Sequence, residues 1–239
     1  MKRVFLTADP TDLSSRDPAL VRAAAVALAR YATDADGAGH REVGDPVHEE
    51  VTEGRYKQWL DARTRGDAWA QGMIYSSCGD PVHWMLRNLG CRDESLVNRS
   101  DDGGEHPWAA GRNIAMLGAS KFVRKPGRDV GPSPGDAVFV MNQYGGHVCT
   151  VTAWREPDPD KATTQDYGQP CGKQRTKQIA SAPHFTLDGH PVLWWLDVTL
   201  VPLAESAIVP DDFEGGVLDT NPYPEPDVAV YDTEPPPAA

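Results

Sequence analysis

The chain of 239 residues is expected to adopt an α+β fold, with helices packed on an antiparallel sheet. Two observations predict this. Apolar residues recur at helical spacing in the first third and again after residue 80, and two-residue alternation dominates from residue 137 to about 201. The length is enough to bury a real core, as one domain with additions or as two small ones.

The elements follow in order. Asp17-Pro18 reads as an N-cap followed by the first helical residue, opening an Ala-rich helix to about Ala32. Leu20, Val21, Ala24, Ala25 and Leu28 form its inward stripe. Residues 33–46 are rich in Gly and Asp and read as a loop. A second helix is expected from Glu49 to about Arg63, with Tyr56, Trp59 and Leu60 inward. A third opens near Cys78, where Ser76 or Ser77 offers a cap. Pro81 fits only its first turn, Val82, Met85, Leu86 and Leu89 recur on one face, and Gly90 supplies the stop. His83 and Trp84 are expected at its surface or at the core edge.

Residues 98–108 read as a polar loop, 114–122 as a short helix and 125–134 as a turn region. Strands are expected at 137–141 and 147–154, with His147, Cys149, Val151 and Ala153 on one face. A charged loop covers 156–163. A long strand spans 192–201, with Trp194, Leu196, Val198 and Leu200 on one face; of Trp194 and Trp195, one is expected in the core and one in a groove. From Asp211 onward, acidic residues and prolines predict a flexible tail.

Net charge is −12, and the segment from Ala204 to the end holds nine acidic residues with no Lys or Arg. The body is therefore nearly balanced, and nothing in it resembles a basic nucleic-acid footprint. No apolar run reaches 18 residues, so no membrane span is expected. The N-terminus turns polar at Asp9 without a hydrophobic signal core, so the protein is expected to be made in the cytoplasm without a signal peptide. Cys78, Cys91, Cys149 and Cys171 are too few for a disulfide scaffold. His83 with Cys91 shows neither CxxC nor HxxxH spacing, so neither a metal nor a cofactor is expected.

Cys78 stands apart. A thiol is a weak nucleophile until it ionises, and a helix N-terminus favours the thiolate. A neighbouring imidazole completes the activation, and a third polar group orients that imidazole. His147 opens a strand in Gly145-Gly146-His147-Val148 and is the candidate partner. Cys91, Cys149 and Cys171 read as small buried hydrophobes.

Ser77-Cys78-Gly79 before a helix, Pro134-Gly135-Asp136-Ala137-Val138-Phe139-Val140 leading a strand, and Gly146-His147-Val148 together resemble the papain-like peptidoglycan hydrolases of the NlpC/P60 and CHAP superfamily. The resemblance runs from Gln71 to about Val201, just over half of the chain. It implies a papain-like fold for a catalytic domain over 66–205. The N-terminal third and the acidic tail have no part in the match. A helical part over 1–65, packed on or contributing to that domain, and an acidic Pro-rich tail over 206–239 are expected from the residues themselves.

It also implies amidase or endopeptidase chemistry on peptide or N-acetylmuramoyl-peptide bonds. Cys78 would be the nucleophile and His147 the general base, then acid. The Cys78 N–H would serve the oxyanion hole. Gln71 is a possible further donor, and Tyr75 a pocket residue. Families of this type place the third residue on the strand after the histidine, here within 163–169. Asp166 is the first choice, Gln169 the second and His184 the third.

The substrate expected on this reading is peptidoglycan. Delivery would follow a non-Sec route, through phage lysis, a secretion apparatus or an injection particle. Two alternatives stay open: a papain-like deamidase or transglutaminase-like toxin acting on protein, and a non-catalytic binding module whose cysteine is incidental.

Overall fold

The computed structural model describes residues 1–32, 64–67, 78–93, 96, 117–127, 130–142, 145–166, 173–180 and 185–220. Helix and antiparallel sheet are mixed, as the alternation and helical spacing predict. The helix expected over 49–63, the loops over 33–46 and 98–108, and Cys171 lie outside the described residues.

Strand β1 (Lys2–Phe5) comes first and has no counterpart in the expected elements. Helix α1 (Pro18–Tyr31) begins as its sequence dictates, with the Asp17 carboxylate accepting from the Ala19 N–H. Val21, Ala24, Ala25, Leu28 and Ala29 are its buried face. Helix α2 (Asp80–Asn88) has Gly79 at its N-cap and no side-chain cap, while Ser76 and Ser77 lie outside the described residues. Burial holds it instead. Val82, Met85, Leu86 and Leu89 are at most 1% exposed. Together they contribute roughly 6–12 kcal/mol, against about 1 kcal/mol for a cap. Gly90 ends it at φ +78°, where a Cβ would lie 2.7 Å from the Ser206 carbonyl oxygen. His83 is buried inside α2's packing, its Nδ1 against the Leu96 carbonyl, rather than at the surface or the core edge.

The remaining strands are β2 (Val123–Arg124), β3 (Ala137–Asn142), β4 (Gly145–Trp154), β5 (Lys161–Asp166), β6 (Lys173–Ala180), β7 (Thr186–Leu187), β8 (His190–Leu196), β9 (Ser206–Val209) and β10 (Val217–Leu218). The larger sheet runs β2-β8-β3-β4-β5-β6-β7, and β7 also pairs with β8. Strands β8-β3-β4-β5-β6-β7 thus close into an antiparallel barrel. Val138, Val140, Cys149, Val151, Ala162, Ile179, Leu187, Val192 and Trp195 come from all six strands and, with Phe185, form its interior cluster. The outward face of β3, β4 and β8 carries Ala137, Val148 and Leu196, which join the core of α1 and α2.

A second sheet, β10-β1-β9, also contributes to that core through Val4, Ala207 and Val209, and Phe213 joins from the connecting turn. The chain from 206 to 218 is therefore part of the body, not of a tail, and the expected boundary at 206 is corrected accordingly. Apolar residues buried every second position, Ala207 and Val209, outweigh the acidic composition around them.

Three smaller expectations also change. The strand expected to reach Val201 stops at Leu196, because Asp197 caps a 3-10 turn over Val198–Leu200. Leu200 is consequently 41% exposed. The charged loop is shorter than expected, since β5 starts at Lys161. The one-face alternation of β4 holds to Val151, where a register shift precedes Ala153. Of the short helix expected over 114–122, residues 117–119 are helical and the chain has turned by 121. Among the described residues, no helix is long and apolar enough to cross a membrane.

The Pro134-Gly135-Asp136 lead-in is a joint between layers. Gly135, at φ +93°, lies where a Cβ would press at 3.1 Å on both Ala25 and the Arg22 carbonyl oxygen of α1. Asp136 is 1% exposed and accepts from Arg22 Nη1 at 2.6 Å, Ser133 N–H at 2.8 Å and Val198 N–H at 3.2 Å. Arg22 also reaches Asp197 at 2.9 Å. Burial pushes the Asp136 carboxyl up to about 6 despite Arg22 and the N–H donors. A carboxyl whose folded pKa lies above its ordinary 3.8 favours the fold most below pH 4, and this contribution is lost as pH rises through about 6.

Replacing Arg22 by Met strips the cation from a buried carboxylate. At pH 7 the loss is expected to be about 3 kcal/mol. Near pH 4, where Asp136 is protonated, it is expected to be markedly smaller. Urea denaturation at the two pH values measures both, and equal losses would contradict the account.

Candidate active site

Cys78 sits two residues ahead of the first residue of α2 and is fully buried. Residue spacing along α2 turns its apolar face toward α1 and the outer barrel face, which carries Cys78 onto β4. The Val148 N–H donates to Cys78 Sγ at 3.3 Å. Val148 adjoins Cys149, which pairs with Asp166 of β5.

His147 precedes Val148 on β4, which places it one residue from the N–H that meets the Cys78 sulfur. Its Nε2 lies 2.8 Å from Asp166 Oδ1. Burial opposes a charge on His147, but hydrogen bonds and negative charge from Asp166 and Cys78 outweigh it and raise the imidazole to about 9. Burial would raise the Asp166 carboxyl too, yet His147 and Lys177 hold it well below the usual carboxylate range. Of the three residues chosen from sequence, His147 and Asp166 are hydrogen-bonded to each other, and Cys78 meets the same strand through the neighbouring Val148 N–H. Gln71, Tyr75, Gln169 and His184 lie outside the described residues.

The surroundings of Asp166 were not foreseen. Thr164 Oγ1 donates to its Oδ2, and Lys177 Nζ from β6 forms a buried ion pair with its Oδ1. Lys177 Nζ is also 3.6 Å from Cys149 Sγ. Burial, partly offset by Lys177, pushes the Cys149 thiol up to about 12, so Cys149 is neutral; burial would lower the Lys177 ammonium, but Cys149 and the Asp166 carboxylate raise it. One sequence signal existed for Lys177. It shares a strand face with Ile179, and both are buried while residues 174–176, 178 and 180 are exposed.

The donor atoms of His147, Cys149 and Asp166 lie within 4.8 Å of one another, which a metal ion could bridge. The Lys177 ammonium already contacts two of these groups, and a thiol near 12 resists the ionisation a ligand needs. The donor set fits proton handling better than a divalent cation.

Gly146, next to the histidine, packs against Phe139 of β3. Phe139 lies so close that a Cβ on Gly146 would sit 2.2 Å from its ring. The ring is stacked on Trp194 with centroids 5.0 Å apart. Trp195 points into the barrel interior, so the tryptophan pair divides between the two faces of β8.

No family model, no curated protein and no solved structure matches this chain.

Gly146→Ala is expected to force Phe139 off Trp194, at a cost of about 1–3 kcal/mol. Phe139→Leu in the same chain is expected to restore part of that stability. Thermal melts of the single and double variants measure this, and purely additive losses would count against it.

Proposed function

We propose that this protein is a papain-like cysteine hydrolase that cleaves amide bonds in bacterial peptidoglycan. The observation that carries the reading is the hydrogen-bonded pair His147–Asp166 one residue from the Val148 N–H that donates to the Cys78 sulfur. A helix starting beside the thiol and a barrel strand carrying the imidazole support the papain-like assignment. The choice of peptidoglycan rests on the resemblance of the three sequence segments.

The proposed mechanism uses these groups in turn. Asp166 accepts from Nε2, which leaves Nδ1 to exchange a proton with the thiol. The imidazole draws that proton, and the thiolate is stabilised by the Val148 N–H and the dipole of α2. The sulfur attacks the amide carbon, and backbone N–H groups at the start of α2 receive the developing oxyanion. His147 then returns its proton to the leaving nitrogen as the C–N bond breaks, giving a thioester. Water, deprotonated by His147, attacks the thioester carbonyl, and the carboxylic acid product leaves as the thiol re-forms.

Cys78→Ala is expected to abolish release of new amino groups from purified peptidoglycan, and mass spectrometry of the fragments identifies the bond cut. Absence of thiol-dependent cleavage by the wild type overturns the peptidoglycan reading. A gain of about one mass unit on a protein glutamine would instead identify a deamidase, because water then resolves the acyl-enzyme.

The rate is expected to fall on the alkaline side around pH 9, where His147 loses its proton. In Asp166→Asn that limb is expected to move toward neutral pH, with a loss of roughly 10³-fold in kcat/KM. The linked stability has the same sign. The folded value of His147 lies above its ordinary 6.5, so its contribution is complete below pH 6.5 and disappears as pH rises through about 9.

A further inference from the structure

Lys177 is the charged group that the mechanism leaves unused. Its side chain is 8% exposed, it lies on β6 across β5 from the histidine strand, and no step of amide cleavage calls on it. A lysine is rarely buried to this degree without a partner. Its anionic partner is Asp166, the same carboxylate that holds His147. Both cations meet one oxygen, Oδ1, while Oδ2 is taken by Thr164. The groups facing this point are Cys78 ahead of α2, His147 and Cys149 on β4, Thr164 and Asp166 on β5, and Lys177 on β6. Cys149 is neutral, so it adds volume and a soft acceptor but no charge.

We propose that Lys177 is a positioning residue acting through Asp166: its buried ammonium completes an alternating row of charge, Cys78(−) His147(+) Asp166(−) Lys177(+). The inference rests on the reading of Cys78 and His147 as an ion pair. With Lys177 present the buried row is electrically neutral. Without it, one net negative charge is left in a site of low dielectric, where such a charge is costly. Asp166 divides its charge between two cations, so Lys177 also limits how strongly the carboxylate holds the imidazolium proton. A general acid that must give up its proton to a leaving nitrogen benefits from that limit.

The test uses the full chain without substrate. His147 is titrated by NMR in protein labelled with 13C-histidine, assigned through His147→Gln, in the wild type, Lys177→Met, Asp166→Asn and the double variant. Lys177→Met is expected to move the His147 midpoint upward by about one pH unit or more, the size typical of removing a nearby like charge. It is also expected to lower kcat/KM on peptidoglycan by roughly tenfold. Urea denaturation is expected to find the double variant more stable than Asp166→Asn alone, since the lysine left without its carboxylate is then gone.

A His147 midpoint unchanged by Lys177→Met overturns the proposal. So does a Lys177→Met loss of stability that is as large in the Asp166→Asn background as in the wild type, which is the mark of plain packing. If Lys177→Met does not fold, the double variant decides: the proposal requires it to fold, and its failure counts against charge pairing. The titration needs no peptidoglycan, so a wild type inactive on the wall with an intact Lys177 effect would sink the substrate reading and leave this one standing.

Discussion

Asp136 lies at the foot of β3 with almost no contact with solvent, and three donors converge on it. One comes from α1, one from the turn before β3, and one from the turn after β8. A buried carboxylate is tolerable only when its donors are held in place, so their convergence fixes how the helical layer sits on the barrel. The position of Cys78 follows from this. Helix α1 packs on α2, α2 carries Cys78, and the sulfur must arrive within hydrogen-bond reach of Val148 on β4. An error of an ångström in the layer would part the sulfur from the Val148 N–H, because they belong to different layers and no covalent link sets their spacing.

Much of this was legible in the chain. Asp17-Pro18 announced α1 because capping is local chemistry, and Val82, Met85, Leu86 and Leu89 announced α2 because burial on one face imposes its spacing. Cys78, His147 and Asp166 were legible because each stands at the start or end of an element, where side chains from different elements meet.

What stayed hidden was mostly non-local. Strands β1, β9 and β10 are short, β1 stands at the other end of the chain from its two partners, and only their pairing with it makes them strands. Ser206 to Leu218 looked like a tail because acidic composition is visible in sequence, whereas a pairing partner some 200 residues away is not. Lys177 escaped for a related reason. A lysine on an inward strand face reads as a surface residue until its carboxylate is seen across the neighbouring strand. Leu200 failed differently: its alternation with Val198 was real, but the Asp197 cap redirected the backbone one residue after β8 ended.

The donor on the Cys78 sulfur is a main-chain group, and this has a consequence for how the site tolerates change. Any residue but proline at position 148 supplies the same N–H, so the contact survives drift in that side chain as long as β4 keeps its path. Cys78 has no such latitude, because its half of the contact is the side chain itself.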